Sequence, residues 1–194
     1  MKNNIDLVPI PSQTVGPYFQ IGLTGNHAVA RIAGPEAQGE RIKLICNVFD
    51  GEGQALGDAM IEIWQANADG KYNHPDDSQA KPVDPAFFGF GRLVTDANGT
   101  CAFETIKPGR VPGPNNILQA RHLSVSVFAR GLLRRLPTRV YFAGDPANDQ
   151  DPILALVPQD RRDTLMAQPV PGQRDAWRFD IHLCGEQETV FFDV

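Results

Sequence analysis

Cysteine is scarce in this chain of 194 residues, which holds three: Cys46, Cys101 and Cys184. An odd number without CxxC spacing supplies neither a zinc signature nor a disulfide framework, and suits a reduced compartment. A membrane span is missing as well, since no stretch approaches the ~20 consecutive apolar residues of a spanning helix. Met1 to Ser12 holds no apolar core of a signal peptide, so a cytoplasmic protein is expected. Positive charge is in deficit. The formal net charge of -5 argues against nucleic acid as a partner, because phosphate binding needs clustered Lys and Arg. The local pair Arg134-Arg135 reads as solvated surface.

Turn residues are plentiful: 18 glycines and 16 prolines suit many turns between short strands. A hydrophobic content of 42% with 21% charged residues fits a water-soluble globular chain. The length suffices for one domain with a proper core. Neither an internal repeat nor a linker divides it, so residues 1–194 read as a single domain.

Residues 1–20 form an arm punctuated by Pro9, Pro11 and Pro17. Proline and its preceding residue favour extended geometry, so an extended arm is expected that takes its order from another surface. It carries S-Q-T-V-G-P-Y-F, in which Gly16 permits close backbone approach and Tyr18 offers a ring with a polar tip. Residues 22–40 read as a polar loop with His27 exposed.

Strand signals follow. Ile42, Leu44, Cys46 and Val48 alternate with polar neighbours, and Ile61 and Ile63 alternate with Glu62 and Trp64. Asp50-Gly51 and Asp69-Gly70 after these runs are hairpin signals. Phe87, Phe88 and Phe90 are expected to anchor the long loop 75–91. Strands are expected at 91–95 and 101–106 around an Asn98-Gly99 turn, and again around Val140 and Phe142. Residues 151–167 are the best helical candidate, opened by Asp151-Pro152 and interrupted by Pro158. Trp177, Phe179, Ile181 and Leu183 mark a strand with one face buried and His182 on its polar face. Thr189 to Val194 reads as a last strand. These elements predict an antiparallel β-sandwich with long loops and one or two short helices.

The central strand carries the chemistry. His122, Ser124 and Ser126 point to one face and Leu123, Val125 and Val127 to the other. An H-x-H pattern would set two imidazoles on one face, ready to share a metal. The chain reads His122-Leu123-Ser124, the geometry for a ligand pair with one side chain of the two. Taken singly, Tyr72 after its turn is a packing residue, and His122 is a hydrogen-bonded core histidine.

Context changes that weighing. Tyr72 follows I-E-I-W-Q-A-N-A-D-G-K, and a K-P-G turn precedes the His122 strand. S-Q-T-V-G-P-Y lies near the start, F-A-R-G follows the strand, and G-E-Q-E-T-V-F-F-D-V closes the chain. Together, in this order and over almost the whole length, they resemble the intradiol ring-cleavage dioxygenases. The resemblance implies a β-sandwich and a non-haem ferric ion, Fe(3+), held by two tyrosinates and two histidines. Hard phenolate oxygen suits Fe(III). It further implies opening of a catecholic ring by O2 between the two hydroxyl-bearing carbons.

This chain departs from that pattern. The first tyrosine and first histidine are present as Tyr72 and His122. Val111 stands where the second tyrosine belongs, and Ser124 where the second histidine belongs. Valine binds no metal and a neutral hydroxyl is a poor substitute for imidazole. No catalytic iron is therefore expected in this chain, and Tyr72 is expected to be a neutral phenol bonded to His122 or water. The resemblance places the iron in a homologous beta subunit, within a higher-order alpha/beta oligomer. At matching positions, Gly16, Pro17 and Tyr18 are expected to line the shared substrate pocket, with Thr14 holding the arm. Arg130 is expected to meet the carboxylate of the aromatic substrate, since a planar guanidinium pairs with carboxylate; a rim residue at a strand end is the other reading of it. Two alternatives stay open: a stand-alone, non-catalytic β-sandwich binding module, and a homo-oligomeric active dioxygenase. A free module has no use for the S-Q-T-V-G-P-Y arm, while Val111 and Ser124 speak against an active homo-oligomer.

Overall fold

Alternation of apolar and polar residues makes the strands of this chain. A computed structural model describes residues 9–25 and 30–193, with residues 17–20 described by their backbone alone. The strands are β1 (Arg41–Phe49), β2 (Met60–Trp64), β3 (Phe90–Val94), β4 (Thr100–Ile106), β5 (His122–Phe128), β6 (Leu136–Phe142), β7 (Met166–Pro169) and β8 (Ala176–His182). Their order is β3-β2-β5-β6-β7-β8-β1-β4. β7 pairs with β6 on one side and β8 on the other, joining the two halves of a sandwich.

The sheet is mixed, not purely antiparallel: β1 runs parallel to β8, and β6 parallel to β7. Alternation sets which face is buried and is silent on strand direction. Between the halves lie Leu44, Cys46 and Val48 of β1, Ile61 and Ile63 of β2, Leu123, Val125 and Val127 of β5, and Phe179 and Ile181 of β8. A smaller cluster of Ala120, Tyr141, Leu154, Val157 and Leu165 packs behind the start of β5. Cys46 faces Cys101 across the β1/β4 pair, and all three cysteines are free thiols. No helix among the described residues is long and apolar enough to cross a membrane.

Several sequence expectations are corrected. The arm is irregular over residues 9–16 but turns into a helix, α1 (Pro17–Thr24), with Gly16 as its N-cap. Proline at the first helical position is pre-organised for that start, so Pro17 opens a helix instead of extending the arm. Residues 154–165 form two short 3-10 turns (Leu154–Leu156 and Gln159–Leu165), and Ala167 belongs to β7. Among the described residues the chain end forms no ladder strand; Thr189 and His182 exchange two hydrogen bonds, and the Phe192 amide donates to the Pro137 carbonyl. Phe87 is buried and anchors its loop, whereas Phe88 is exposed. His182 stacks on Phe49 with ring centroids 5.0 Å apart. His27 lies outside the described residues.

Asp69-Gly70 makes a turn but no hairpin, because β2 takes β3 and β5 as its neighbours. What the turn meets is the Lys107-Pro108-Gly109 segment. The Gly109 amide donates to the Asn67 carbonyl at 2.8 Å. A Cβ on Gly70 would collide with the Arg110 carbonyl, and one on Gly109 with the Ala68 carbonyl and the Gly70 amide. Two glycines thus let two backbones touch, and that contact sets Tyr72 beside Val111. Gly70 also has φ +77. Gly70→Ala is expected to lower unfolding free energy by about 2 kcal/mol or more, from the left-handed backbone and the overlap together; urea denaturation checks it.

Candidate functional site

Tyr72 sits on a loop that closes on itself. The Asp77 carboxylate accepts the Tyr72 amide at 2.8 Å, and the Lys71 ammonium donates to the carbonyls of Asp77 and Gln79. The Tyr72 ring lies parallel to the Trp64 indole at 5.9 Å between centroids. Trp64, Tyr72, His74, Asp76, Asp77, Gln79, Val111 and Pro112 line an open cavity of about 560 Å³. Burial raises the pKa of Tyr72, against the opposing charge of Arg139, so the phenol is neutral. The expected bond from Tyr72 to His122 is not made: the histidine is turned to its own backbone, and the phenol packs on Trp64 instead.

His122 is buried at the start of β5. Its Nδ1–H donates to the Ala120 carbonyl at 2.9 Å, which leaves Nε2 as the unprotonated nitrogen. Burial first, and then the charge of Arg139, push its pKa down to about 4. The imidazole is therefore neutral near pH 7.

Three residues that sequence reasoning passed over complete the surroundings. Asp151, read above as a helix start, is a buried carboxylate. It accepts the Ala120 amide at 2.7 Å, the amides of Ile153 and Leu154, and the Tyr141 hydroxyl at 3.1 Å. Arg139 of β6 donates from Nη1 to Gln119 Oε1 at 2.6 Å, and lies 3.5 Å from the Tyr141 hydroxyl. Gln119 in turn donates to the carbonyls of Val111 and Pro112, filling space that a Cβ on Gly113 would take. Alternation showed Arg139 as a polar strand residue. Only cross-strand pairing shows what it faces.

These residues do not fit a ferric ion. Tyr72 and His122 bring two donors. Val111 is buried and brings none, and the nearby phenol of Tyr141 is engaged by Asp151. Among the described residues, no three His, Cys, Asp or Glu side chains gather in a way that could hold a metal.

The other expected site residues form a second group. The Thr14 hydroxyl accepts the Gly131 amide at 2.8 Å, tying the arm to the loop after β5. Arg130 on that loop donates from Nε to Asp58 Oδ2 at 2.8 Å, and its side chain remains 71% exposed. Gly16 caps α1 with open space where a Cβ would be. The side chains of Pro17 and Tyr18 lie outside the described residues. Asp58, held at φ +67, had no signal in the sequence beyond its place before a strand. His122 begins β5, and Arg130 lies past its end at Phe128. At ~3.3 Å per strand residue, roughly 20 Å of sheet separates the two groups.

The fold is that of the intradiol dioxygenases. The catechol 1,2-dioxygenase of Acinetobacter sp. ADP1, solved inhibited by bound mercury, superposes with a TM-score of 0.60 at 26% identity, covering 78% of this chain and 55% of that one. Residues 14–185 match the family model described as Dioxygenase, and the chain belongs to that family. It is 42% identical over 197 residues to the protocatechuate 3,4-dioxygenase alpha chain of Burkholderia cepacia, across 95% of this chain and 96% of that protein. It is 39% identical over 161 residues to the protocatechuate 3,4-dioxygenase beta chain of the same organism, across 79% of this chain and 68% of that protein.

The buried groups make stability depend on acid. Above pH 6.5, His122 is neutral whether the chain is folded or unfolded. Between 6.5 and about 4 the unfolded chain binds a proton that the folded chain refuses, so stability falls as pH drops. The full effect is about 3 kcal/mol. His122→Gln is expected to lose less melting temperature than the wild type between pH 7 and pH 4.5, as read by thermal scans. Asp151→Ala strips partners from two buried amides, a part-buried one and a phenol. It is expected to cost on the order of 3–5 kcal/mol in chemical denaturation.

Proposed function

We propose that this chain is the alpha subunit of a protocatechuate 3,4-dioxygenase. Paired with a homologous beta subunit that holds the non-haem ferric iron, it completes the pocket in which protocatechuate is opened. The ring is cleaved with O2 between its two hydroxyl-bearing carbons, giving 3-carboxy-cis,cis-muconate with both oxygen atoms incorporated. The supporting observation is the separation along β5. Thr14 and Arg130 stand at the end of the sheet opposite this chain's own Tyr72 and His122. Thr14 tethers the arm at that end, where a second subunit gives it a purpose. The likeness to the Burkholderia cepacia alpha chain over nearly the full length supports the same reading.

Each residue then has a task. Thr14 holds the arm against Gly131. Gly16, Pro17 and Tyr18 line the shared pocket, Gly16 because its lack of a side chain leaves room for a neighbour. Asp58 takes the Nε of Arg130 and leaves the two terminal nitrogens of the guanidinium for the ring carboxylate. The arm gains its order on the beta subunit, in a higher-order alpha/beta oligomer working in the cytoplasm without nucleic-acid or membrane partners.

Co-production with an iron-bearing beta chain is expected to give iron and ring cleavage that neither appear with this chain alone; iron and activity in the lone chain would overturn the reading. Failure to form an active pair would leave the stand-alone binding module. In the complex, Arg130→Ala is expected to lower kcat/KM for protocatechuate by about 30- to 100-fold, the worth of a charge-assisted bidentate contact. Catechol, which has no carboxylate, should lose little. Equal losses on both substrates would remove this role.

A further inference from the structure

Two absent ligands are one obstacle to a metal ion in this chain, and the sheet also carries a cation at the same place. Ser124 of β5 stands directly opposite Arg139 of β6, and on its other side opposite Trp64 of β2. Directly opposed residues of an antiparallel pair leave the same face, with Cβ atoms about 5 Å apart. The guanidinium of Arg139 therefore rises beside the position of the second histidine ligand, on the face that carries His122.

It is also held there. Nη1 donates to Gln119 Oε1 at 2.6 Å, and the Phe192 ring centroid lies 6.0 Å from the guanidinium carbon. Gln119 is fixed by the Val111 and Pro112 carbonyls, so the segment that lost its tyrosine is the one that braces the arginine. The charge acts on both Tyr72 and His122, the two ligands that remain.

We infer that Arg139 is the resident cation of this vestigial site and that its charge, beyond the loss of two ligands, bars a metal ion from it. The inference rests on the reading that the iron of the complex belongs to the beta subunit. A fixed guanidinium repels a di- or trivalent cation at close range, and repulsion grows with the metal's charge. Restoring the ligands alone then fails to restore the site.

The test uses the alpha/beta complex and measures iron per pair by elemental analysis, together with the tyrosinate-to-iron charge-transfer band. Wild type is expected to hold about one iron per pair, and Val111→Tyr/Ser124→His to remain there. Adding Arg139→Gln to those two changes is expected to raise the content towards about two, with Arg139→Lys in its place leaving about one. Two irons in the double variant, or one in the folded triple variant containing Arg139→Gln, would overturn the inference. If thermal scans show that the triple variant does not fold, Arg139→Gln alone decides. Zn(II) competition against a chromophoric chelator should then show at least about tenfold tighter binding than wild type or Arg139→Lys, and equal affinities would overturn it. Iron in the wild-type alpha chain by itself is a separate outcome: it sinks the subunit assignment, and is read in the control.

Discussion

The antiparallel pairing of β2, β5 and β6 is the constraint on which the rest depends. It brings Trp64, Ser124 and Arg139 into one row and sets His122 opposite Tyr141 in the next. The same pairing drives Leu123, Val125 and Val127 into the core from the other face. A slip of one residue would expose those apolar side chains and bury the polar ones, so burial of the core holds the site face in register. The chemistry of this chain is in that sense a consequence of packing on the far side of the sheet.

Loops above this face bring Tyr72 and Val111 to one cavity. The touching backbones of Gly70 and Gly109 place Tyr72 and Val111 as neighbours, although valine supplies no donor. Asp151, Tyr141, Arg139 and Gln119 form a connected polar chain ending at the Val111 and Pro112 carbonyls. A buried polar network is stabilising when its members are satisfied, and costly when one is removed. This one combines a carboxylate and a guanidinium with neutral groups, leaving His122 as an uncharged imidazole.

The opposite end of the sheet has a different character. Arg130 is largely exposed, and Thr14 holds the arm by one hydrogen bond to a loop amide. Groups that are exposed and lightly held in one chain are suited to ordering by another surface. One end of β5 thus carries a connected polar network, and the other carries exposed and lightly held groups.

Much of this was readable from residues alone. Alternation located most strands, set Leu123, Val125 and Val127 on one face of theirs and marked Phe179 and Ile181 as buried, because burial of one sheet face follows directly from side-chain period. That Val111 brings no metal donor was readable too, since donor chemistry belongs to residue type. Pro17 was read as extending the arm, yet it opens a helix, because proline's fixed φ serves both conformations. Asp69-Gly70 was a turn without its hairpin, because local turn chemistry does not choose a strand's partner. The mixed sheet, the burial of Asp151 and the placing of Arg139 beside Ser124 were decided only by tertiary structure. Each depends on which strands meet and in what register, and that is settled by long-range packing rather than by any neighbour in the chain.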